Sequence, residues 1–110
     1  MKQSCTIFYA SDGKVALGGN NEDYINPFTK VWFIPPEEGR YGSVCFGFND
    51  LNPQGGTNDQ GLFYDIAAVE GPVRVPPKEG KPVLPEYRVS SGLVTYKIMA
   101  ECSTVEEVIE

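Results

Sequence analysis

An α+β fold, mostly antiparallel strands followed by helices, is predicted for these 110 residues by three observations. Short aromatic and β-branched runs, each closed by Gly, Pro, Asn or Asp, fill the first part of the chain. A proline-rich stretch follows them. Beyond it the apolar residues take up the spacing of a single helical face.

The first strands are Thr6 to Tyr9 and Val15 to Leu17, which flank "SDGK". In that turn Gly13 can take positive φ while the Asp12 side chain bonds its own backbone, so the opening residues read as a hairpin. "KVWFIPP" is a short aromatic strand stopped by Pro35 and Pro36, and "YGSVCFGFND" supplies the next. "GGTNDQGLFYDIAAV" predicts a tight Gly-Asn-Asp turn and then an apolar strand. Gly71 to Pro85 carries five prolines and reads as a stiff, exposed connection, because proline lacks the N–H that a ladder or helix requires. Val89, Leu93, Tyr96 and Ala100 then fall at i, i+4, i+7 and i+11, which predicts a helix laid on the sheet. Ser103 with Glu106 predicts a capping box, followed by a second short helix with Val105, Val108 and Ile109 as its apolar stripe. That helix meets no stop signal before Glu110, so the expectation is a chain that ends inside an element and a sheet with one face bare.

Composition narrows the function classes. With 41% hydrophobic residues, 12% of all residues being aromatic, the chain can build one core, and it has no internal repeat. A net charge of −6 argues against nucleic-acid binding, which draws on clustered Lys and Arg to displace counterions. No membrane partner is expected, since no apolar run approaches the roughly 20 residues that cross a bilayer. Met1 to Ser4 is too short for a secretory leader; the expected location is cytoplasmic if Met1 is the native start, and exported if an upstream signal was removed.

Three cysteines, Cys5, Cys45 and Cys102, form neither a disulfide framework nor a CxxC motif. Cys45 and Cys102 read as buried packing residues, and core is the reading for Trp32 and Phe33, with Phe28 either core or pocket wall. The chain has no histidine, so it cannot assemble a Cys-His pair or a Ser-His-Asp triad, and zinc sites of the usual kind are not expected. Glu22 and Asp23 with Asn20 and Asn21 offer cation ligands but lack the spacing of a calcium loop, so no metal is expected. Cys5 has two readings. It is a small apolar residue at the start of a strand, or it is a nucleophile whose base is not imidazole. An α-amino group, with an unperturbed pKa of about 8, is such a base, and cutting the Ser4–Cys5 bond would give Cys5 its own. Residues 1–4 would then be a short pro-segment and the hairpin a rigid mount for the new terminus.

"CTIFYASDGKVALGGNNEDY", "GGTNDQGLFYD" and "STVEEVIE" occur in the order found in the choloylglycine hydrolase group of N-terminal-nucleophile hydrolases, which includes bile salt hydrolases and penicillin V acylases, and the chain resembles that group over nearly its whole length. The resemblance implies that residues 5–110 are the N-terminal portion of a single αββα sandwich domain. It implies hydrolysis of linear, non-peptide carbon-nitrogen amides through a freed N-terminal cysteine and an acyl-enzyme, without a cofactor. Cys5 matches the nucleophile and Asp23 the residue that orients its amine. Asn20 stands where the family has arginine, and a neutral amide supplies no charge to favour a thiolate. Asn20 and Asn21 remain candidates for orienting or binding substrate. Asn58, Asp59 and Gly61 match a structural turn of the family. Ile66, Ala67 and Ala68 fall where bile salt hydrolases carry an oxyanion-binding asparagine, leaving backbone N–H groups near Ala67 and Ala68 for that task. Asp65 either lines the pocket or faces solvent. The family's remaining asparagine and arginine match nothing in these residues, so the 110 residues alone are expected to be inactive. A small-molecule amide is the expected partner, and homo-oligomer formation is left open. The rival readings are a non-catalytic, truncated or degenerate homologue serving as a structural or partner-binding piece, and a redox-sensing thiol.

Overall fold

The structure, a computed structural model, describes residues 5–67 and 91–109. The pro-segment 1–4, the connection 71–85, Ala68 and Val89 lie outside the described residues. Strands and helices are mixed, with two antiparallel sheets followed by two short helices, an α+β arrangement.

β1 (Thr6–Ser11) and β2 (Ala16–Asn21) form the predicted hairpin, with Phe8 opposite Gly19 and Thr6 opposite Asn21. The turn works as its chemistry requires. Asp12 Oδ1 accepts from the N–H groups of Lys14 and Val15 at 2.9 and 2.8 Å, which holds its carboxyl below the usual range, and Gly13 sits at φ 85°. The second strand runs four residues past the predicted Leu17, so Asn20 and Asn21 belong to the strand rather than to a loop beyond it.

A second sheet has the order β3 (Thr29–Ile34), β4 (Ser43–Phe48), β5 (Pro53–Asn58), β6 (Phe63–Asp65), every pair antiparallel. β5 corrects the sequence reading. "GGT" is not part of the turn but the middle of a buried strand, and the turn begins after Asn58. Glycine weakens a strand because it offers nothing to pack. Here neighbouring groups fill the gap, since a Cβ at Gly55 would overlap the Phe46 ring and one at Gly56 would meet the Val44 carbonyl oxygen at 2.6 Å. The register slips between Phe46 and Gly47, where Gly47 faces Pro53 and the proline's missing N–H is tolerated at the irregularity.

One face of this sheet, with Trp32, Cys45, Gly56 and Tyr64 in register across it, is covered by α1 (Ser91–Glu101). Met99 and Cys45 are each only 1% exposed, and burial pushes the Cys45 thiol up. Trp32 Nε1 donates to the Tyr96 hydroxyl at 3.1 Å, and that hydroxyl donates to the Leu51 carbonyl at 3.1 Å. Cys102, expected to be buried on a helix face, is half-buried just past the end of α1. α2 (Val105–Ile109) opens with a capping box one residue later than predicted. Thr104 Oγ1 accepts from Glu107 N, and Glu107 Oε2 accepts from Thr104 N, each at 3.3 Å. Ser103 adds its own N–H and hydroxyl to the same carboxylate, which holds Glu107 below the usual carboxylate range.

The opposite face is exposed among the described residues only at its β3 end, since at β6 the hairpin packs against Phe63 and Asp65. Phe33, expected in the core, is 78% exposed, with Val31 beside it on the same face at 63% and Phe28 at 66%. Phe33 alternates with Trp32, and only the Trp32 side has a helix over it. Next to this sheet the hairpin runs along β6, and Gly18 lies so close to the Phe63 ring that no Cβ fits between them.

Burial beneath α1 pushes the Tyr64 hydroxyl up to about 12 from its ordinary 10.0. The folded state therefore favours the protonated phenol. Its contribution is complete below pH 10, the unfolded value, and is lost as pH rises through about 12. Urea denaturation between pH 9 and 12 is expected to show stability falling across that window, with Tyr64→Phe removing part of the fall.

Candidate functional site

Cys5 immediately precedes β1, and Glu22 and Asp23 immediately follow β2. Because Thr6 pairs with Asn21, the hairpin delivers its entry and exit side by side. The Cys5 S–H donates to Glu22 Oε2 at 3.2 Å. The other oxygen, Oε1, accepts from Asn20 Nδ2 at 2.6 Å, and the same amide donates to Asp65 Oδ1 on β6 at 2.9 Å. Asp65 Oδ1 also accepts from the N–H of Ile66 at 2.8 Å. Burial raises the Asp65 carboxyl above its usual range, and the charge of Glu22 adds to that, against the lowering effect of Asn20.

One neutral amide thus joins two carboxylates, the first of which holds the thiol. Asn20 Oδ1 and Asp65 Oδ2 are buried and accept no hydrogen bond among the described residues. An unsatisfied buried acceptor costs roughly 1–3 kcal/mol.

Cys5, Glu22 and Asp23 line a cavity of about 410 Å³, whose other walls include Asn52, Gln54, Ile66 and Ala67. Tyr24 lines it too, its ring held against Phe48 with centroids 5.0 Å apart. Asn52 follows Leu51, which is at φ 57°, and Asp50 Oδ1 accepts from Asn52 N at 3.0 Å. A non-glycine residue in the left-handed region is strained, and here it turns the chain from β4 into β5 at the cavity rim.

Of the residues singled out in the sequence, Cys5 and Asp23 share this cavity. Asn20 and Asp65 stand behind Glu22 and do not line it. Asp65 is half-buried on β6 and bonded to the Asn20 amide. Asn21 is exposed and outside the cavity, since neighbours on a strand point to opposite faces. Ala67 lines the cavity, whereas the N–H of Ile66 is already engaged by Gln54 O and Asp65 Oδ1. Ala68 lies outside the described residues. Sequence reasoning missed Glu22 as the thiol's partner, and Asn52 and Gln54 as residues of the cavity wall. The signal for Glu22 was present in the hairpin register, which sets residue 5 against residue 22 once Thr6 is paired with Asn21.

Among the described residues no group of three or more His, Cys, Asp or Glu side chains converges as a metal site, and no helix is long and apolar enough to cross a membrane. Compared with protein-family models, with curated proteins and with solved structures, the chain finds no match.

Proposed function

We propose that Cys5 is the nucleophile of an amidohydrolase that cleaves linear, non-peptide carbon-nitrogen bonds, and that residues 5–110 contribute the N-terminal portion of an αββα N-terminal-nucleophile domain. The observation that carries this reading is the shared cavity of Cys5 and Asp23, with the thiol already hydrogen-bonded to a carboxylate. Once the Ser4–Cys5 bond is cut, the freed amine takes the thiol proton and Asp23 orients that amine. Sulfur attacks the amide carbonyl and the amine returns the proton to the leaving nitrogen. Water then hydrolyses the thioester. The side-chain amides of Asn52 and Gln54, with the backbone at Ala67, are the candidate donors to the developing oxyanion.

One observation favours the rival reading of a non-catalytic homologue. The charged residues on the cavity wall around Cys5 are Glu22, Asp23 and Asp50, with no Lys or Arg among the described lining residues, and Asn20 occupies the place of the family's arginine.

Intact mass spectrometry of the protein as its gene encodes it separates the two. The expected result is a terminus at Cys5 and, on incubation with a short acyl anilide, a single acyl adduct on that residue. A chain that keeps residue 4 and still hydrolyses the anilide at full rate sinks the proposal.

A further inference from the structure

The reaction that frees Cys5 needs a base before any α-amine exists, and the geometry points to Glu22 as that base. We propose that Glu22 accepts the Cys5 thiol proton in a self-cleavage that removes residues 1–4. The inference rests on the reading of Cys5 as an N-terminal nucleophile and adds to it the group that brings the nucleophile into being.

While residue 4 is attached, the nitrogen of Cys5 is an amide and takes no proton. The thiol then depends on a side chain, and it donates to Glu22 Oε2 at 3.2 Å, within reach for a sulfur donor. Glu22 is held for this task at its far oxygen, because Asn20 Nδ2 grips Oε1 at 2.6 Å and is itself tied to Asp65 on β6 at 2.9 Å. The carboxylate therefore cannot swing from the sulfur without breaking its bond to Asn20, whose amide is itself anchored to the neighbouring strand. An ionised carboxylate is an acceptor only, so the group that already takes the thiol's hydrogen bond is also the one placed to take its proton.

The step balances without an oxidant or reductant. The thiol proton passes to Glu22 as sulfur bonds to the carbonyl carbon of residue 4 through a five-membered ring. The carbon-nitrogen bond breaks, and the nitrogen of Cys5 takes the proton from Glu22 to become the α-amine. The acyl group now rests on sulfur as a thioester. Water adds to it, the carbon-sulfur bond breaks, residue 4 leaves as a carboxylic acid and the thiol is restored. The net change is hydrolysis of one peptide bond by one water.

The test follows release of residues 1–4 by intact mass in the full-length protein and its Glu22 variants. Glu22→Gln is expected to slow release by at least about 100-fold, the usual contribution of a positioned proton acceptor. Glu22→Asp is expected to restore part of the rate, and formate added to Glu22→Ala is expected to accelerate release in proportion to its concentration. A residue with a purely structural role would not respond to formate. Release from Glu22→Gln at the wild-type rate, or no response of Glu22→Ala to formate, overturns the inference. The nucleophile reading is tested apart from it in an otherwise wild-type chain lacking residues 2–4, whose initiator methionine is removed during expression. Acylation of Cys5 there, together with self-cleavage indifferent to Glu22, rejects this inference and leaves that reading standing.

Discussion

Replacing Asn58 by alanine is expected to lower stability by about 3–4 kcal/mol, a fall in Tm of roughly 15 °C or more for a domain of this size, read by urea and thermal denaturation. Asn58 is 5% exposed and uses its amide fully. Its oxygen accepts from Gln60 N at 3.1 Å and Leu62 N at 2.9 Å, closing the turn between β5 and β6. Its nitrogen donates to Met99 O at 3.0 Å and Cys102 O at 2.8 Å, so it caps the carbonyls at the end of α1. Alanine leaves two donors and two acceptors unpaired. The loss exceeds that of an ordinary polar deletion because each is a buried or half-buried backbone group. Asn58→Asp is the informative second variant. Its oxygens still close the turn, but they face the Met99 and Cys102 carbonyls with no proton to give. Destabilisation by Asp nearly equal to that by Ala would assign most of the effect to the helix junction.

The features legible in the sequence are those whose cause is local. The β1–β2 turn was readable because Asp12 and Gly13 define it by their own side-chain and backbone chemistry. Gly61 at φ 86° was readable for the same reason, since a turn between two strands demands a residue that tolerates that conformation. β5 was not readable, because two successive glycines argue against a strand until the Phe46 ring is known to lie over one of them. Phe33 was misjudged because aromatic character says that a residue can be buried, whereas burial depends on whether an element arrives to cover its face. The capping box was recognised one residue early, since Ser103 and Thr104 both meet Glu107 and only Thr104 has the cap's spacing to it. The site shows the same division. Cys5 and Asp23 could be named from the sequence, but the line from Asp65 through Asn20 and Glu22 to the sulfur joins two strands distant in the chain, and only the packing of β2 along β6 creates it.

Cys5→Ala, made in the full-length chain lacking residues 2–4 so that no self-cleavage is needed, is expected to abolish amide hydrolysis, with a loss of kcat on the order of 10⁴-fold or more, as when the nucleophile of an acyl-transfer enzyme is deleted. The size follows from what the sulfur does. It is both the attacking atom and the carrier of the acyl group, so without it the remaining residues can only orient an amide toward water. Stability should be little affected, because Cys5 is only half-buried and stands at the end of β1 rather than in the core formed by Cys45, Met99 and Ala100. That contrast gives the experiment its force. An unchanged urea midpoint with lost turnover assigns the sulfur a chemical role, whereas equal loss of both would make it a packing atom. Asp23→Asn distinguishes the steps further: if Asp23 orients the α-amine, its amide should reduce kcat far more than it raises KM, since the defect lies in proton transfer rather than in binding. Full turnover in Cys5→Ala would return the cavity to a polar crevice between a hairpin and a sheet, and Glu22 to an acceptor with nothing to deprotonate.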